Sequence, residues 1–181
     1  MFSTLSAWLA DADVDQAAIG YFSWVGIMFS IKVFWAPVVD RLKLPLLTRW
    51  LGQRRSWLVV AQIGIAVSLL LMGTTQPVGN LALFAQLALL VAFFSATQDI
   101  CIDAYRIDSA ADEFQGAMAA TYIFGYRVAM LMAGAGSFYI ADMDSWGTAY
   151  LVMAVLMGVG LITTFIVDEP DTPPRDDLGK T

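Results

Sequence analysis

The chain has 181 residues, of which 59% are hydrophobic and 14% charged, with a net charge of −6 and no histidine; its mean hydropathy is +0.67. Soluble domains carry about 25% charged residues, so this composition excludes an ordinary soluble globule and points to apolar spans. Without histidine the commonest general base and metal ligand are gone, the single Cys101 excludes an intrachain disulfide or a Cys-only metal cluster, and no basic patch interleaved with aromatics suggests nucleic acid. No enzyme, metal or cofactor chemistry is therefore expected.

Residues 1–10 (MFSTLSAWLA) lack the basic flank and long apolar stretch of a signal peptide. They read as the last turns of a further apolar helix, and the expectation is that most of a preceding span is missing from this chain, with a complete five-span protein as the alternative. Five apolar segments follow, at about 17–39, 57–72, 80–107, 116–141 and 147–167. Each approaches or exceeds the ~20 residues that a spanning helix needs, and nothing reads as alternating barrel strands. The polar, proline-rich residues 168–181 read as the start of a linker.

Basic residues orient the spans. Arg41, Lys43, Arg49, Arg54 and Arg55 crowd the loop after the first span, Arg106 ends the third, and Arg175 and Lys180 lie in the tail. The loops 74–79 and 142–146 and the segment before Ala17 carry no Lys or Arg. The positive-inside rule places the Arg41 loop, the Arg106 loop and the C-terminus in the cytoplasm.

Charges inside the spans are the candidates for function. The first span holds Lys32, the third Asp99 and Asp103, and the fourth Arg127. Such groups are costly in a bilayer, by roughly 2.5–3.5 kcal/mol each at its centre, and are expected to face protein or water. The charges sum to zero, which suggests compensation between helices. By the same argument the first, third and fourth spans face a polar interior, and the uncharged second and fifth face lipid.

Asp99, Asp103 and Arg106 share one helix face at i, i+4 and i+7. Lys32 lies eight residues before Asp40 and Asp99 seven before Arg106, which puts both about 10–12 Å from the same ends of their helices. This predicts a Lys32–Asp99 ion pair, and a carboxylate so placed can exchange a proton during transport. Asp103 with Arg106, nearer the interface, is expected as a structural i,i+3 pair or a gate contact. Arg127, near mid-membrane, is either a bidentate ligand for an anionic group or a counter-ion to Asp99 or Asp103. Tyr122 and Tyr126 either extend a substrate surface or pack within the bundle. Gly125, Ala129, Ala133 and Ser137 recur every fourth residue, first of all a helix-packing signal.

The loop Asp40-Arg41 with Gly52, Arg54 and Arg55 resembles the signature between the second and third helices of the major facilitator superfamily, with an insert around 42–51. Asp112-Glu113-Phe114-Gln115-Gly116 resembles that superfamily's lead-in to its fifth helix. WAPVVDR (35–41), SATQDICIDAYR (95–106) and GYR (125–127) are similar to the AmpG-type muropeptide permeases and their relatives, the acetyl-coenzyme A transporters. The resemblance implies an all-α integral membrane protein: residues 1–167 would be the N-terminal six-helix half of that fold, with about five spans in this chain and the first helix and C-terminal half as missing partners. It implies proton-driven import of anhydromuropeptides across the bacterial inner membrane for cell-wall recycling, with lipid, the solute and protons as partners. Lys32, Gln98, Asp99, Asp103, Tyr122, Tyr126 and Arg127 would form the solute and proton pathway, and Asp40, Arg41, Arg54, Arg55 and Arg106 the cytoplasmic gate. Another solute such as acetyl-coenzyme A, or a non-transporting membrane scaffold or receptor subunit, is the alternative.

Overall fold

Five helices are long and apolar enough to cross a membrane in the computed structural model, which describes residues 2–109 and 112–169. A short helix α1 (Phe2–Asp11) comes first. The first span, α2 (Gln16–Phe34), is followed by two short pieces, α3 (Ala36–Arg41) and α4 (Thr48–Leu51). The remaining spans are α5 (Gln53–Thr74), α6 (Leu81–Ser109), α7 (Gln115–Met143) and α8 (Trp146–Ile166).

Where the hydropathy pattern predicts one continuous helix over 17–39, α2 is interrupted by 3₁₀ turns at Ser23–Gly26 and Lys32–Phe34 and separated from α3 at Trp35. Pro37 explains the second break. It has no N–H to give and its ring crowds the carbonyl four residues back, so the helix restarts with Pro37 in its first turn. In α7 the break is a π turn at Met132–Gly136, within a run of small residues.

The largest buried cluster lies at the end of the bundle remote from the arginines. Leu5, Trp8 and Leu9 of α1 meet Ile65, Leu69 and Met72 of α5, Phe84 to Val91 of α6, and Tyr150 of α8. The Trp8 ring stacks edge-on against Phe84 at 4.9 Å and lies 4.8 Å from Tyr150. A smaller cluster of Val39, Leu58 and Cys101, flanked by Trp35 and Trp57, closes the arginine end. Between apolar helices in lipid, close van der Waals fit supplies the attraction. Glycines provide that fit: a Cβ on Gly147 would stand 2.7 Å from the Gly73 carbonyl oxygen, so α5 and α8 touch backbone to backbone there. Gly64 likewise makes the notch that receives the Phe94 ring of α6.

The helix order differs from the charge-based sorting. The uncharged α5, expected against lipid, is the most enclosed span, with 44% of its apolar window buried between α6 and α8. Its small and polar residues Ser56, Ala61, Gln62 and Ser68 are buried and allow that contact. By contrast only 6% of the α7 window is buried. α7 is held chiefly by its hairpin to α8, where Phe138 packs on Trp146 at 5.3 Å and the Ser145 side chain caps α8 by accepting from the Thr148 N–H. α8 buries Ala149, Tyr150 and Ala154 and leaves Val155, Val159, Ile162 and Ile166 outward, as a lipid-facing side requires.

Candidate functional site

Lys32 stands in the 3₁₀ turn that ends α2, and Asp99 two-thirds along α6. The expected pair is present: Lys32 Nζ donates to Asp99 Oδ2 at 3.3 Å, with the side chains 28% and 40% exposed. A hydrogen bond from Trp35 Nε1 to Thr97 Oγ1, also 3.3 Å, fixes the same two helices against each other. The ion pair is thus made between α2 and α6 at membrane depth and stays partly open.

A trough of about 730 Å³ adjoins it, walled by α7, α6 and α8, with Ile65 and Leu69 of α5 and Thr4 of α1 at one end. Gln98, Asp99, Arg106, Tyr122 and Tyr126 lie on its wall. The Arg106 guanidinium sits over the Tyr122 ring at 5.1 Å and reaches Asp103 at 4.0 Å, the i,i+3 pair expected of these residues. Gly125, Ala129, Ala133 and Ser137 also line the trough, and a Cβ on Gly125 would meet nothing within 4 Å. The stripe expected to pack a neighbouring helix therefore faces open space at Gly125 among the described residues, while Ser137 at its other end is buried. Arg127 is exposed, is not on the trough wall, and has no ion-pair partner among the described residues. The structure does not bring it to Asp99 or Asp103.

At the arginine end, a second set of contacts joins four elements. Arg54 is buried and pairs with Asp40 of α3 and, at 3.4 Å, with Asp108 at the end of α6. Gln53 Nε2 donates to the carbonyls of Val39 and Asp40. Arg55 donates to the last carbonyls of α8, from Nε to Thr164 at 2.8 Å and from Nη2 to Phe165 at 3.0 Å, where a cation also complements the helix dipole. Arg41 is exposed and Arg106 belongs to the Tyr122 contact, so neither joins this network.

Sequence reasoning missed Asp108, Tyr105 and Glu169. Glu169 accepts the backbone N–H groups of Arg54 at 2.7 Å and Arg55 at 3.1 Å, capping the positive end of α5 from a point more than a hundred residues away. Tyr105 donates to the Asp168 carbonyl at 2.6 Å. No local pattern signals either contact, because both depend on where α8 ends in space. Gly52, with φ of +83°, makes the turn into α5 and leaves room for the Glu169 side chain.

Five apolar helices, a charge pair between two of them and a polar network confined to one end point to a multi-pass membrane protein. The chain belongs to the Major Facilitator Superfamily, whose sequence profile matches residues 1–181. It is 39% identical over 173 residues to the putative transporter AmpG 4 of Rickettsia conorii, covering 94% of this chain and 42% of that protein. It is equally 39% identical over 173 residues to the anhydromuropeptide permease of Escherichia coli K12, covering 94% of this chain and 34% of the permease. An uncharacterized protein of Haemophilus influenzae is 36% identical over 167 residues. The chain therefore spans about a third to two fifths of the length of these curated relatives, and the AmpG-type resemblance carried by its motifs is borne out.

Proposed function

We propose that this chain is the N-terminal half of a proton-coupled secondary transporter that imports anhydromuropeptides across the bacterial inner membrane, with its arginine end in the cytoplasm. The observation that carries the proposal is the half-open Lys32–Asp99 pair. Opposite charges at membrane depth are expensive to keep, and they are kept where ions or charged solutes pass. Protonation of Asp99 removes the negative charge that Lys32 Nζ faces at 3.3 Å, which frees the ammonium for a carboxylate of the solute; loss of that proton re-forms the pair. Gln98, Tyr122 and Tyr126 offer hydrogen-bonding groups nearby for sugar and peptide. The Asp40–Arg54–Asp108 cluster acts as the cytoplasmic gate, and the rest of the polypeptide supplies the opposing half that alternating access needs.

The test is uptake of labelled anhydromuropeptide by the full-length transporter in a bacterial strain lacking its own permease. Asp99→Asn is expected to abolish proton-driven uptake at a normal membrane level. Normal uptake by that variant removes Asp99 from the mechanism, and uptake of labelled acetyl-coenzyme A in place of the muropeptide reassigns the solute.

A further inference from the structure

The segment that joins α3 to α5 reads RLKLPLLTRWLG over 41–52 and contains no Asp or Glu. α3 ends at Arg41 and Leu42 is extended. Pro45, which has no N–H to give, opens a new turn. The Thr48 N–H donates to the Leu44 carbonyl at 3.0 Å, that of Leu51 to Leu47 at 2.9 Å and that of Gly52 to Thr48 at 3.2 Å. Leu46 and Trp50, four residues apart on this winding, share one side of it and are 80% and 89% exposed. Arg41, Lys43 and Arg49 are also exposed, and none of them pairs with an acid among the described residues.

α5 sets the height of this segment. Its 22 residues rise about 33 Å at 1.5 Å per residue, close to the ~30 Å of a hydrocarbon core, so Gln53 stands where acyl chains give way to headgroups. The segment is pinned at that level: Gln53 Nε2 donates to the Val39 and Asp40 carbonyls, and Trp57 Nε1 to the Leu42 carbonyl at 2.9 Å. The ring N–H groups of Trp35, Trp57 and Trp146 all have acceptors, in Thr97, Leu42 and Asp11. Trp50 has none among the described residues. An apolar ring with a free N–H suits the boundary between lipid and water. Leucine and tryptophan on one side, among cations without acids, are the pattern of a segment that lies in the membrane surface. The three unpaired cations complement lipid phosphates, whereas a protein covering this side would have to supply acids to match them.

We propose that residues 42–51 form a membrane-surface foot that binds anionic phospholipid. Leu46 and Trp50 enter the acyl boundary, and Lys43 and Arg49 hold the lipid phosphates. The inference rests on the membrane reading of the five helices and not on the solute or its coupling to protons.

The experiment uses the full-length protein in lipid nanodiscs, with Cys101→Ala and any other cysteine replaced. Leu46→Cys and Trp50→Cys each carry an environment-sensitive fluorophore. In discs of phosphatidylcholine and phosphatidylglycerol mixed about 3:1, lipid with a doxyl group near the ester end of its chain is expected to quench about half the emission of either probe, and aqueous iodide about a tenth. Addition of Lys43→Gln with Arg49→Gln, or discs of phosphatidylcholine alone, should lower the doxyl quenching about threefold. Iodide quenching as strong as in the unfolded protein places the segment in water and overturns the proposal. Protection from both quenchers also overturns it, since the rest of the polypeptide or a second copy would then cover Leu46 and Trp50. Doxyl quenching that ignores the two glutamines and the lipid charge overturns the assignment to anionic lipid. Transport does not enter this readout: normal uptake by Asp99→Asn sinks the coupling mechanism alone, and probes open to iodide sink the foot alone.

Discussion

The Lys32–Asp99 pair makes a quantitative prediction. At 3.3 Å, Coulomb attraction amounts to about 1.3 kcal/mol in water and about 5 kcal/mol at an effective dielectric constant near 20. With the side chains 28% and 40% exposed, solvent screening and the rotamer cost of ordering lysine bring the net coupling down to about 1–2 kcal/mol. A single neutral substitution forfeits that coupling and also strands the partner charge at membrane depth, a cost approaching ~2.5–3.5 kcal/mol toward the bilayer centre. Lys32→Met and Asp99→Leu are each expected to destabilise the full-length transporter by about 2–4 kcal/mol. The double variant should lose less than the sum by about 1–2 kcal/mol. Unfolding in mixed micelles, followed by tryptophan fluorescence at neutral pH, measures all four corners of the cycle. Strictly additive losses would refute the reasoning, since each charge would then be solvated independently of the other.

Three further outcomes follow from the packing. Gly147→Ala places a methyl group 2.7 Å from the Gly73 carbonyl oxygen and is expected to push α5 and α8 apart at a cost of about 1–3 kcal/mol, read as a lower thermal midpoint. Arg54→Met strands Asp40 and Asp108 beside a buried apolar chain and is expected to cost about 3–5 kcal/mol; Lys at the same position should recover only part, because one ammonium cannot bridge both carboxylates with guanidinium geometry. Gly52→Ala meets both a φ of +83° and the Glu169 side chain 2.3 Å from the new Cβ, and is expected to lose about 1–3 kcal/mol and to release Glu169 from the start of α5, detectable as faster proteolysis after Val167.

The sequence carried the spans and the central ion pair because both rest on one-dimensional quantities. Apolar length identifies a spanning helix, and counting residues back from the charged ends of two helices gives the relative depth of Lys32 and Asp99. What it did not carry depends on azimuth and on distant chain ends. Charge content sorted α5 to the lipid, but small residues decide who sits in the middle: Gly64 and Gly73 let α6 and α8 close on it, and that signal was legible in the same stretch. Arg127 was assigned by depth alone, and depth does not say which side of α7 it occupies. Glu169 could not be found at all, since its role exists only once α8 has brought it back to Gly52.

The π turn at Met132–Gly136 has a geometric consequence for α7. In a regular α-helix, residues four apart advance by about 40° around the axis, so Gly125, Ala129, Ala133 and Ser137 would wind through about 120° and Ser137 would leave the others' side. A π turn accommodates one additional residue, which winds the later part of the helix back by about 100°. The four positions are thereby returned to one nearly straight line, and a straight line of small side chains can lie along a straight neighbour over its whole length. Deleting a single residue between Met132 and Gly136 would remove the additional residue and restore regular winding with Ser137 on the same side as Gly125, and Phe138 would keep its place on the ring of Trp146.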